Sequence, residues 1–183
     1  LIVGTYEGGL SVYDEESKRF TRHHSRSDSP SPISNDNVLA LFQDSLGFIW
    51  VGTENGLNLF KPSDGTFRTF YYKRGVEDTL SSNMVWSFHE DKNGDLWIGT
   101  NGGGLSVWQF EDRKILNPSF KHLSGDKSLP SSSIFGIEGG ADEEIWISHN
   151  KGITRITRDG KNVRHFRKID GLQDTEFNMG ASA

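Results

Sequence analysis

Nine residues of this chain have the types and placement to hold a polar ligand: Tyr6, Glu7, Glu54, Asn55, Tyr71, Tyr72, Asn101, His149 and Asn150. All fall in short polar stretches between apolar runs, where loops are expected and where binding groups collect. A pyranose offers C–H patches to an aromatic face and hydroxyls to amides and carboxylates, so this set suits a sugar. The same types are ordinary turn formers, and any one of them alone carries little weight. His149 stands out. It occupies a position that Thr5, Thr53 and Thr100 fill elsewhere, either as drift or as a departure from internal symmetry that serves function.

Other chemistries find less support. The six histidines show no metal-ligand spacing, and His23 and His24 are adjacent, so they would point to opposite faces of a strand. Gly102-Gly103-Gly104 has no helix after it and reads as a turn rather than a phosphate cradle. No serine or cysteine sits in a nucleophile elbow, and no sialidase-type aspartate box is present. Asp142-Glu143-Glu144 falls in a turn, where solvated charge is the default. No catalytic residue, metal site or cofactor is expected. The net charge of −5, with scattered Lys and Arg, disfavours nucleic acid. Zero cysteines exclude disulfides.

These loops hang on a repeat. Phe48-Ile49-Trp50-Val51-Gly52-Thr53 recurs as Leu96-Trp97-Ile98-Gly99-Thr100 and Ile145-Trp146-Ile147-Ser148-His149, and a beheaded copy opens the chain at Leu1-Ile2-Val3-Gly4-Thr5. Ile2, Trp50, Trp97 and Trp146 are 48, 47 and 49 residues apart, and Ile33, Leu80 and Leu129 each lie 17 before a tryptophan. A fixed period of this size marks a propeller or solenoid.

Each unit reads as four strands. The innermost (Asn37–Phe42, Met84–Phe88, Ser133–Ile137) is apolar at nearly every residue, as for a strand covered on both faces. Trp86, in this strand, reads as core. An Asp-to-Gly turn follows at 44–47 and 91–94, whereas Gly140-Ala141-Asp142-Glu143 should turn differently. The tryptophan strand comes next, then a turn ending in Gly plus an aliphatic residue, a third strand, and a poorer, outer fourth. No helical periodicity is found.

The expectation is an all-β chain: a β-propeller of about four blades, each a four-stranded antiparallel sheet, as part of a larger or shared ring. The units run 1–32 (partial), 33–79, 80–128 and 129–171, with a further one starting at 172–183. A blade cannot bury its own faces and needs a neighbour on either side, with the tryptophan position filling the wedge. The next such position would fall at 189, four repeats on from Ile2. That is either chance or a sign that 176–181 supplies the first unit's missing inner strand, within one chain or between two.

The motif Asp-x-x-Gly-x-hydrophobic-Trp-Ile-Gly-Thr-x-x-Gly-Gly-Leu, with the lead-in Leu80-Ser81-Ser82-Asn83, resembles the two-component regulator propeller repeats over essentially the whole chain. The resemblance implies a non-enzymatic fragment of the periplasmic sensor region of a hybrid histidine kinase. It implies an oligosaccharide ligand and further propeller; residues 170–181 look like the final blade of such a region, after which the family continues into an immunoglobulin-like domain. A homodimer is one way to complete the ring. Two rivals stay open: a streptogramin-lyase-like enzyme, for which His149 is the one candidate base, and a scaffold that binds protein partners through its loops.

Overall fold

The computed structural model describes residues 1–123, 129–174 and 177. Fifteen strands among them form four antiparallel sheets in chain order. The first has three strands, β1 (Ile2–Thr5), β2 (Gly9–Asp14) and β3 (Arg19–His23). The second runs β4 (Val38–Gln43), β5 (Ile49–Thr53), β6 (Gly56–Lys61), β7 (Thr66–Phe70). The third runs β8 (Val85–Glu90), β9 (Leu96–Thr100), β10 (Leu105–Trp108), β11 (Phe120–Leu123), and the fourth β12 (Ile134–Gly139), β13 (Glu144–His149), β14 (Gly152–Thr157), β15 (Val163–Phe166). The innermost strands stack side by side, β4 on β8 and β8 on β12, and β1, the tryptophan-position strand of the first sheet, packs on β4, so the sheets fan out as propeller blades.

Two glycine positions set the spacing between blades. The turn glycine before each third strand has positive φ (Gly9 73°, Gly56 121°, Gly104 75°), a region costly for any residue with a Cβ. In that conformation its N–H reaches the carbonyl just ahead of the next blade's inner strand: Gly9 to Asp36, Gly56 to Asn83 and Gly104 to Ser132, at 2.6–2.8 Å. Within the tryptophan strand, a Cβ on Gly52 would lie 2.8 Å from the Val85 carbonyl oxygen and 2.9 Å from its Cγ1. Ser148 is tolerated at the equivalent place because no described sheet covers that face.

Three apolar clusters fill the three junctions. Leu10, Ile33, Val38, Val51, Phe60 and Phe67 join the first and second sheets. Trp50, Leu80, Leu96, Ile98, Trp108 and Phe120 join the second and third, and Trp97, Leu129, Ile134, Ile145 and Ile156 the third and fourth. Trp50 and Trp97 are wholly inside, and Ile33, Leu80 and Leu129 are buried as their spacing predicts. Trp146 faces away from the third sheet and is half-buried, its ring stacked on Phe166 at 5.3 Å.

The turn aspartates do more than turn the chain. Asp44 Oδ1 accepts the backbone N–H groups of Leu46 and Phe48, while Oδ2 accepts the Trp50 indole N–H at 2.7 Å. Asp91 treats Asn93, Asp95 and Trp97 the same way. An arginine of the following blade then reaches back to each. Arg113, fully buried, pairs with Asp44 and Glu90 and donates to the Gly94 carbonyl at 2.6 Å. Arg158 donates to Asp91 at 3.2 Å and to Asp95 at 2.5 Å. Burial lowers the Arg113 pKa to about 10, which leaves it charged at neutral pH.

Two expectations are corrected or sharpened here. The sequence reading has no helix, yet Phe110–Arg113 forms a single helical turn (α1) between β10 and β11, and Lys168–Asp170 a 3-10 turn. Four residues are too few to show a helical period, and α1 exists because it delivers Arg113 into the junction. The divergent turn at 140–143 does turn differently. Asp142 and Glu143 both take positive φ (53° and 60°), and the Glu144 N–H closes on the Ala141 carbonyl, a type I′ turn. Of the segment expected to complete the first sheet, all but Phe177 lies outside the described residues.

Candidate functional site

The turn between the second and third strands of each blade (β5–β6 in the second) and the loop into the next blade open on one face, because Thr53 pairs with Val38 and Leu57 with Phe70. On that face Tyr6, Glu7 and Glu54 come together across the first two blades. The Tyr6 hydroxyl donates to Glu54 Oε1 at 3.3 Å, and Glu54 Oε2 accepts from Asn37 Nδ2 at 2.6 Å. Asn37 Oδ1 in turn accepts the Glu7 N–H at 2.7 Å. The Glu54 carboxylate holds the Tyr6 phenol above its usual pKa. Asn37 was not singled out from the sequence. Its place directly before an inner strand, one repeat from Met84, was the available signal.

Tyr71 and Tyr72 follow β7 and are 40% and 42% exposed, with Tyr6 at 64%. Tyr71 leans over the Gly56 turn, where a Cβ would touch its ring at 3.1 Å. It also lines a groove of about 380 Å³ with Lys73, Val76, Asp78 and Phe120. The Tyr72 N–H is fixed by Asn83 Oδ1 at 2.7 Å. Asn55 is exposed, and its backbone N–H donates to Thr53 Oγ1 at 3.1 Å. Asn150 is exposed in the β13–β14 turn.

Asn101 is half-buried and bridges the last two blades. Its Oδ1 accepts from Ser133 at 2.7 Å, and its Nδ2 meets the Met84 sulfur at 3.2 Å. A thioether is a weak acceptor, so that amide retains capacity for a ligand oxygen. Close by in the chain is a feature missed from the sequence. The inner strands each carry a bulge at the same place, with Leu39, Trp86 and Phe135 as the extra residues. A bulge re-aims its side chain. Trp86 is consequently half-buried rather than core, and its ring stacks on Phe135 at 5.2 Å and 22°.

His149 does not join the loop face. It is fully buried, with one ring nitrogen 2.8 Å from Thr154 Oγ1 and the other accepting the Lys151 N–H at 3.1 Å. The reason lies in a neighbour. In the second and third blades a serine, Ser34 or Ser81, bonds the strand threonine (Thr53 or Thr100) and the third-strand polar residue (Asn58 or Ser106). In the fourth blade that serine is Pro130, which has neither hydroxyl nor N–H, and the longer imidazole reaches Thr154 directly. His165 completes the set at 2.8 Å from the same hydroxyl.

Burial, helped by His165 and Lys151, lowers the His149 pKa from 6.5 to about 4. Between those values the unfolded chain binds the proton and the folded one does not, so stability rises with pH. The stabilisation is complete above pH 6.5 and is lost as pH falls toward 4. Melting temperature measured across that window should drop, and more steeply in the wild type than in a Pro130→Ser/His149→Thr double variant that restores the serine–threonine pair.

Residues 32–55 and 79–102 match the model of the two-component regulator propeller. Both segments span an inner strand, the aspartate turn and the tryptophan strand. A curated protein, histidine kinase P4 of Formosa agariphila, is 25% identical over 179 residues, covering 98% of this chain and 13% of its own. A solved extracellular domain named for the hybrid two component system BT3049 of B. thetaiotaomicron superposes with a TM-score of 0.70 at 23% identity, over 89% of this chain and 21% of its own. Virginiamycin B lyase from Staphylococcus aureus has the same fold with a TM-score of 0.58 at 18% identity, over 90% of this chain and 54% of its own. The chain thus spans a small part of the kinase and of the extracellular domain.

Proposed function

Because the chain carries two-component regulator propeller repeats, we propose that it is part of the extracytoplasmic sensor of a hybrid two-component system and that its loop face takes an oligosaccharide. The observation that carries the reading is the trio Tyr6, Tyr71 and Tyr72, held exposed on one face beside a preorganised Glu54–Asn37 pair. Exposed aromatic faces next to oriented carboxylate and amide groups match a pyranose, which needs both. Asn101, with its under-used amide, and the Trp86–Phe135 stack extend that surface toward the inner strands. The remaining propeller, an immunoglobulin-like domain and a membrane segment belong to the same reading as neighbours in the full protein, with the periplasm as compartment. A homodimer that completes the ring belongs to the same reading.

Burial of His149 supports a binder over a lyase, since the one candidate base has both ring nitrogens engaged inside the fourth blade. Thermal shift against a panel of plant and host oligosaccharides tests the reading. A ligand at about 100 times its Kd should add roughly 2.7 kcal/mol of stability. Tyr6→Ala and Glu54→Gln should weaken binding while leaving the unliganded melting temperature nearly unchanged. A silent panel, or turnover of any bound compound, would overturn the assignment.

A further inference from the structure

A cleft of about 540 Å³ lies at the other end of the blades, between the third and fourth sheets. Its origin is visible from the preceding junction. There Trp108 and Phe120 close over Trp50, with Trp108 5.4 Å from Trp50 and 4.7 Å from Phe120. The 110–118 insertion packs Phe110 against Gly94 and sends Arg113 inward. In the fourth sheet the register places Ile156 and Val163 at the positions of Trp108 and Phe120. The insertion shrinks to the tight turn between β14 and β15. The two aromatic plugs that fill both earlier junctions are thus missing here, as is the helical turn of the second junction, and Trp97, Val107 and Leu123 lie beneath the space.

The walls are acidic. Asp95, Asp142, Glu143 and Asp159 line the cleft against Lys121 and Arg158. Arg158 is committed to Asp91 and Asp95, and Asp159 pairs with Lys161. Asp142 and Glu143 have no ion-pair partner among the described residues, and their type I′ turn presents both at the rim. The volume falls in the range of ligand sites, roughly 300–1,000 Å³.

We propose that this cleft binds a short segment of a partner polypeptide in which an aromatic side chain neighbours basic ones. The aromatic ring would take the space that Trp108 and Phe110 occupy one junction earlier, over Trp97 and Leu123. The basic groups would meet Asp142 and Glu143. The chain itself shows that such a pairing fits: Phe110 and Arg113 fill the equivalent groove with the same two chemistries. This inference is independent of the sugar reading, because it uses the opposite face and different residues.

The test is a titration of the whole chain with the capped peptide Gly-Phe-Arg-Lys-Gly, followed by amide chemical shifts. Saturable shifts centred on residues 142–143 and 157–162 are expected. Asp142→Asn/Glu143→Gln, a rim change that leaves the core intact, should weaken binding roughly tenfold. Gly-Phe-Glu-Glu-Gly should not bind. Ile156→Trp, which restores the plug, should abolish binding where it folds. Shifts scattered over the surface, no saturation, or full affinity in the Asp142/Glu143 variant would each overturn the proposal.

Discussion

Arg113→Ala is expected to destabilise the protein by about 3–5 kcal/mol, because it strands two carboxylates in a buried junction. Asp44 has no exposed side-chain surface and Glu90 little, and both pair with that guanidinium. A domain of this size loses roughly 2–4 °C of melting temperature per kcal/mol, so a drop of roughly 6–20 °C should be seen calorimetrically. The loss belongs to uncompensated charge more than to the attraction itself. Removing all three charges together, as Arg113→Met/Asp44→Asn/Glu90→Gln, should therefore recover much of it. Arg113 Nε has no hydrogen-bond partner, which fits a side chain held by its two terminal nitrogens. A loss below about 1 kcal/mol, the range of surface pairs, would show that the junction is open to water.

Trp50→Ala should cost about 3–5 kcal/mol, whereas Trp146→Ala should stay near the roughly 1 kcal/mol of an ordinary substitution. The residues are identical and hold the same repeat position. What differs is the neighbour. Trp50 is sealed by Trp108, Phe70 and the Asp44 carboxylate, while Trp146 is half-buried with Gly140 where the carboxylate should be. Urea denaturation of the two variants side by side separates burial from residue type. Equal losses would mean that the repeat position matters irrespective of what covers it. Because Trp50 and Arg113 share Asp44, their combined loss should fall short of the sum.

The fold was legible because it rests on period. Tryptophan, glycine and leucine recur at near-constant intervals, and each interval corresponds to one physical contact between neighbouring sheets. What breaks the period was harder to read. The burial of His149 depends on Pro130, nineteen residues earlier, having removed a hydroxyl. The arginine clamps were invisible because Arg113 and Arg158 stand at different distances from their own tryptophans, 16 and 12 residues. Bulges leave no mark in an apolar run, so Trp86 read as core although its backbone turns it toward Phe135. Among the nine site candidates, Tyr6, Glu7 and Glu54 are joined by direct and Asn37-mediated bonds, and His149 is withdrawn inside.

The clamps also have a direction. Arg113 and Arg158 both reach toward a sheet made earlier in the chain, and neither reaches forward. On the ribosome, a finished sheet therefore waits unlatched until the next one has emerged to lock it. Synthesis from the N-terminus thus makes the third sheet the bolt for the second and the fourth the bolt for the third, each latched only after its successor is made.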